Sequence, residues 1–236
     1  MLLVAGLLAM PFRAIGHDWR TASREPTGIA PVPAFHPEAV VQVYAARAYS
    51  WRGTFGVHSW FAVKAKDAED FTVYEVIGWR ARWGQSVVAV SNRPPDGRWF
   101  GNEPEIIADL RGPEAEALIP RIDAAARNYP YADEYTVWPG PNSNTFIAHL
   151  ARAVPELRVD LPPTAIGKDY LPGGAPFAAA PSGTGYQLSL LGLIGVMAGI
   201  EEGLEINILG LTFGIDPKDL AIKLPGVGSV GFNRSN

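Results

Sequence analysis

F-G-V-H-S-W-F-A-V-K (Phe55–Lys64) and F-T-V-Y-E-V-I-G-W (Phe71–Trp79) are separated by the polar stretch Ala65–Asp70. Both runs are rich in aromatic and β-branched residues, and two such runs across a polar turn predict a β-hairpin. Toward the N-terminus, A-V-V-Q-V-Y-A-A (Ala39–Ala46) adds a third β-rich run with partial alternation. Toward the C-terminus, Gln85–Asn92 and Arg98–Phe100 read as strands flanking P-P-D-G (Pro94–Gly97), a turn by its own residues. The period then changes. Pro113–Asn128 sets Ala117, Leu118, Ile122 and Ala125 at helical spacing behind a proline suited to a first helical turn. Phe146–Val154 repeats that spacing through Phe146, Leu150 and Val154, and Pro155 stops it. Strands followed by helices predict an α+β fold, an antiparallel sheet with packed helices.

The flanks differ from this core. Met1–Met10 (M-L-L-V-A-G-L-L-A-M) is wholly apolar and is followed by Pro11, Phe12 and Arg13. A membrane span needs about 20 apolar residues, and a signal peptide carries basic residues ahead of its apolar stretch. Residues 1–12 therefore read as the trailing half of a signal or anchor, with a buried helix of a cytosolic protein as the alternative. The first reading gives a periplasmic or inner-membrane-anchored protein that meets the membrane through its N-terminus; the second gives a cytoplasmic one. Arg13, Arg20 and Arg24 pull toward the second, because basic residues favour the cytoplasmic side. Residues 13–38, with Pro26, Pro31, Pro33 and Pro37, form an extended linker. Residues 39–160 make the core, and 161–236 a Pro/Gly loop with a C-terminal β-meander packed on it. L-L-G-L-I-G-V (Leu190–Val196), I-L-G-L-T-F-G-I (Ile208–Ile215) and L-P-G-V-G-S-V-G-F (Leu224–Phe232) are read as its glycine-studded strands. The rival reading, a span across Leu188–Ile200, is too short and ends on Glu201 and Glu202.

Composition narrows the chemistry. Of 236 residues 25 are Gly and 21 Pro, so irregular loops abound. The formal net charge of −4 argues against nucleic acid as a partner. With no cysteine, disulfides and a thiol nucleophile are both excluded. Four scattered histidines, none in H-E-x-x-H spacing, predict neither a metal site nor a cofactor.

One constellation stands out. His58 lies inside an apolar strand, where an imidazole needs a partner. Glu75 is equally out of place among Val73, Val76 and Ile77. G-P-N-S-N-T-F (Gly140–Phe146) delivers Asn142, Ser143 and Asn144 to the start of a helix, where free backbone N–H groups can hold an oxyanion. Ser143 as nucleophile, His58 as base and Glu75 as orienter would form a catalytic triad. Trp60, Trp138, Asn142 and Asn144 would line its cleft. Each has a plainer role: Ser and Asn are ordinary helix caps, and tryptophans are ordinary core residues. His149, in the second helix, is expected to face solvent.

The stretches F-G-V-H-S-W-F, Y-E-V-I-G-W, W-F-G-N-E-P, W-P-G-P-N-S-N-T-F and L-P-P-T-A-I-G-K-D-Y resemble an uncharacterised bacterial family, domain of unknown function 3750. That family has no assigned activity. More distantly, the layout resembles the circularly permuted papain-like enzymes, cell-wall amidases and lecithin retinol acyltransferase among them. There a strand histidine, a polar orienter and N-C-x-x-F opening a helix make the site. The resemblance puts His58, Glu75 and Asn142–Phe146 in those places, with Ser143 where the cysteine stands. It implies a hydrolase or acyltransferase acting on an amide or ester, of peptidoglycan, lipid or a small molecule. The alternative is a non-catalytic envelope protein that keeps the cleft to bind a ligand or partner.

Overall fold

The computed structural model describes residues 18–231. The apolar N-terminal run Met1–Met10 lies outside them. Five strands form the first sheet: β1 (Val40–Arg47), β2 (Val57–Lys64), β3 (Thr72–Val76), β4 (Val88–Ser91) and β5 (Pro104–Arg111). Their order is β4-β3-β2-β1-β5, and all pairings are antiparallel. Two helices follow, α1 (Pro113–Arg127) and α2 (Ser143–Ala153). The expected hairpin is β2–β3, and the class is α+β. Two details differ. Arg98–Phe100 is a loop, with a Trp99–Asn102 bridge in place of a strand. The edge strand β5 fills a stretch with no strand expectation, because its half-exposed E-I-I-A-D-L-R dilutes the alternation.

Strand alternation sorts every side chain to one of two faces. Val41, Val43 and Ala45 of β1, Val57, Phe61 and Val63 of β2, and Tyr74 and Val76 of β3 join the helix residues Leu118, Ile122, Phe146, Ile147 and Leu150 in the main core. Each such fully buried large side chain contributes ~1.5–3 kcal/mol. The opposite face carries Val40, Tyr44, Ala46, Trp60, Ala62 and Val73 in a second, smaller cluster. That face is closed by the 93–102 loop and by the segment before β1. That segment, expected as an extended linker, is held against the loop. Asp96 Oδ2 accepts the N–H groups of Gly28 at 2.6 Å and Ile29 at 2.9 Å, and Pro26 bridges to Gly97.

The second sheet is a seven-stranded meander in chain order: β6 (Phe177–Ala179), β7 (Gly185–Leu190), β8 (Ile194–Gly199), β9 (Gly203–Ile208), β10 (Leu211–Asp216), β11 (Ala221–Leu224) and β12 (Gly228–Gly231). The three glycine segments expected as strands each straddle a turn instead. Leu191 and Gly192 (φ 50° and 71°) and Leu209 and Gly210 (φ 53° and 79°) carry the paired positive φ of a type I′ turn. Asparagine or aspartate is favoured where the leucines stand, so the sequence disguises these turns.

This sheet inverts the usual alternation. Gln187, Ser189, Glu205, Asn207, Thr212 and Lys223 are buried, whereas Leu188, Val196, Ile206, Phe213, Ile215 and Ile222 are exposed. It docks through polar contacts. Lys168 Nζ donates to Glu205 Oε2 at 2.6 Å, Lys223 Nζ to Glu205 Oε1 at 2.9 Å and to Asp160 Oδ2 at 2.7 Å. Arg152 of α2 donates to Gln187 Oε1 at 2.6 Å. Among the described residues no helix is long and apolar enough to cross a membrane.

Candidate functional site

His58 and Glu75 meet because of register. β2 pairs Phe61 with Tyr74 and Val63 with Thr72. Continued by one pair, this sets Glu75 opposite Trp60 and diagonal to His58, within reach of long side chains. Nε2 of His58 lies 3.0 Å from Glu75 Oε2, both side chains nearly fully buried. A carboxylate only accepts, so Nε2 carries the proton and Nδ1 keeps its lone pair. Nδ1 has no hydrogen-bond partner among the described residues.

Arg93 completes the group. Its Nε donates to Glu75 Oε1 at 2.8 Å and its Nη2 to Oε2 at 3.2 Å. The same guanidinium lies 4.6 Å above the Trp60 ring. Trp60 is held in turn by Tyr44, stacked at 5.6 Å, and by Nε1 donating to Pro95 O at 2.7 Å. On its other side the His58 ring stacks on Trp99 at 3.6 Å and 15°. Trp99 then stacks with the half-exposed Trp79 at 6.2 Å. An aromatic ladder thus runs from a buried ion pair out to solvent.

The electrostatics follow from these contacts. Burial depresses the His58 pKa below its ordinary 6.5, outweighing the Glu75 carboxylate that favours the cation. Burial pushes Glu75 the other way, but the hydrogen bond from His58 and the Arg93 charge prevail and lower it to about 2. At neutral pH the group is a carboxylate clamped by arginine, holding a neutral imidazole in one tautomer.

Ser143 does not join it. α2 lies on the helix side of the sheet, and the β2 side chain that meets its first turn is Ser59, whose Oγ donates to Asn144 Oδ1 at 2.7 Å. His58, one residue earlier, points to the opposite face. Nor does Ser143 cap the helix. Asn142 is the N-cap, accepting from the N–H groups of Asn144 and Thr145 at 3.0 and 3.2 Å in a capping box. Its Nδ2 donates to Val137 O and Ile166 O, both at 3.0 Å. Asn144 Nδ2 donates to Val57 O and Ile166 O. Asn142 and Asn144, expected to bind ligand, are thus consumed in joining α2 to β2 and the 164–168 loop. Gly167 (φ 99°) permits this, since a Cβ there would sit 2.3 Å from Asn142 Nδ2.

The tryptophans divide as well. Trp60, expected to wall the cleft, is fully buried in the second cluster. Trp138 is half-exposed, but its Nε1 donates to Leu209 O at 2.9 Å, so it marks the junction with the meander. His149, expected in solvent, is partly buried, with Nε2 3.2 Å from Ala125 O. Sequence reasoning missed Arg93, Trp99 and Trp79. A glutamate buried in a strand demands a cation, and Arg93, just ahead of the Pro94–Gly97 turn, supplies it. Among the described residues no three His, Asp or Glu side chains cluster as a metal site.

Compared with known families, residues 38–170 match the protein family of unknown function DUF3750. The chain belongs to this family. The DUF3750 region holds the whole first sheet, both helices and every residue of the His58 group, and it ends before the meander begins. No curated protein and no solved structure matches the chain.

Proposed function

We propose that this DUF3750 protein binds a ligand rather than cleaving one, as a non-catalytic envelope protein and not a serine-variant hydrolase or acyltransferase. The observation that carries the reading is strand alternation. It turns His58 away from the face on which Ser143 and the α2 N-terminus lie, so among the described residues the serine lacks this base and the imidazole lacks this nucleophile. The His58–Glu75–Arg93 group then serves to fix Trp99 from beneath. Trp99 supports Trp79, whose half-exposed indole offers a flat apolar surface. Such a platform suits a ring-shaped ligand, and peptidoglycan sugars are the first candidate class.

A second reading draws on one feature, the unpartnered Nδ1 of a neutral imidazole oriented by a carboxylate. That is a general base in waiting, able to act on a bound water without Ser143.

One experiment separates these readings. The purified full chain is treated with a fluorophosphonate probe and, in parallel, titrated with soluble peptidoglycan fragments followed by tryptophan fluorescence and by product analysis. The binding reading expects no labelling, a saturable fluorescence change lost in Trp79→Ala, and intact fragments. Labelling of Ser143 that disappears in His58→Ala would overturn it in favour of the serine enzyme. Fragment cleavage that needs His58 but survives Ser143→Ala would establish the water-activating dyad instead.

A further inference from the structure

Among the described residues the outward face of the meander carries no charged side chain. Leu188, Val196, Ile206, Phe213, Ile215 and Ile222 stand on it, each between about two-fifths and three-fifths exposed. Glu205, Asp216 and Lys223 of the same strands all point inward. Seven strands at ~4.8 Å spacing and ~3.4 Å per residue make a face of roughly 600 Å² even before side-chain relief. The largest apolar patch on an ordinary monomer is about 300–600 Å².

The two ends of the sheet differ. The turns 200–202 and 217–220 carry Lys218 and Asp219 beside the exposed Ile200 and Leu220, with Glu201 and Glu202 buried beneath them. The opposite turns carry Leu191, Leu209 and Val227, all exposed. Leu191 and Leu209 hold positive φ, as Leu220 does at the other end, a conformation costly for leucine and easy for asparagine. What sets the 191, 209 and 227 turns apart is that they carry no charged residue. Two exposed indoles flank them. Trp138 bonds the Leu209 carbonyl. Trp51 lies in the 50–54 turn, whose Gly53 carbonyl shares the Arg47 guanidinium with Gly226.

We propose that this face and its leucine tips enter the acyl layer of a lipid membrane, with the indoles at the headgroup level and the end that carries Lys218 and Asp219 away from it. Three features favour lipid over other occupants. A second copy stacked on the face would cover the strands but leave the tips, which project past the sheet's end, in water. The apolar run Met1–Met10, even fully extended, covers only about a quarter of the face. Tryptophan at the boundary of an uncharged surface is the pattern of a membrane interface.

The cysteine-free chain makes the test direct. Single cysteines replace Ile206, Leu209 and Asp219 in the full chain, each labelled with an NBD fluorophore, and vesicles of phosphatidylcholine and phosphatidylglycerol are added. The proposal expects a blue shift and intensity gain at 206 and 209 and no change at 219. It also expects an Ile206→Lys, Phe213→Lys variant to lose ~10-fold or more in vesicle partition, as lipid-facing lysines do. Both positions are exposed, so the variant's fold is checked by an unchanged far-UV spectrum. Three results would overturn the proposal. Labels already blue-shifted without vesicles, with the mass doubled in sedimentation, mean a second copy. Vesicle binding with 206 and 209 still in water means the N-terminal run anchors alone. The third is failure of the protein to float with vesicles.

Discussion

Replacing Glu205 with glutamine removes one negative charge from between two buried ammonium groups. Lys168 and Lys223 are each 1% exposed and Glu205 2%. Burial alone would raise the Glu205 pKa, but the two lysines outweigh it and keep the carboxylate ionised. Lys223 retains Asp160 Oδ2 at 2.7 Å and Glu202 O at 2.9 Å. Lys168 retains only the Leu161 carbonyl at 2.9 Å. Breaking a buried pair by deleting one partner costs about 3–5 kcal/mol, against a typical domain stability of about 5–15 kcal/mol. At this chain length such a loss lowers Tm by roughly 6–20 °C. The check is thermal unfolding of Glu205→Gln followed by near-UV circular dichroism. A second variant makes the cause specific: Glu205→Leu with Lys168→Met removes both members of the Lys168–Glu205 pair and should recover most of the loss. If Glu205→Gln melts within a degree or two of the parent, the cluster is hydrated and the meander does not depend on it for docking.

Two further expectations concern the site. Asn142→Ala should destabilise by about 1–2 kcal/mol through the lost cap, whereas Ser143→Ala, whose hydroxyl has no partner among the described residues, should leave the urea midpoint unchanged; equal losses would return Ser143 to a structural role. For pH, the depressed His58 pKa means the unfolded chain takes up the proton first, so this stability is complete above 6.5 and is lost as pH falls through the folded value. Glu75, lowered to about 2, adds a loss in the same direction between 4.5 and about 2. Asp169, raised to about 6 by burial, acts oppositely, so the measurement is the difference between wild type and His58→Gln. The gap in urea midpoint should narrow between pH 7.5 and 5; a gap independent of pH would mean that His58 titrates like a free imidazole.

The hairpin and both helices were legible because their signals are local: aromatic and β-branched runs, a polar turn, helical spacing, and Pro113 and Pro155 at the ends. His58 and Glu75 stood out for a related reason, since each breaks an apolar strand. Their grouping with Ser143 failed on parity. Whether residue 58 or 59 faces the helices depends on register against β1 and on where α2 packs, and neither is written in the strand itself. The meander misled differently. Its L-G pairs look like strand interior because leucine is the wrong residue for a type I′ turn, and β5 was lost because an edge strand shows only half its alternation.

The strap that precedes β1 makes one more thing of Asp96. That side chain grips the backbone at Gly28 and Ile29, three residues along from Arg93, whose guanidinium holds Glu75. The chain's leading end is therefore wired to the imidazole by a short series of links: strap, Asp96, the 93–97 turn, Arg93, Glu75, His58. A pull on that end is not dissipated in slack polypeptide. Tension there is passed through the Asp96 grip to the turn that carries Arg93.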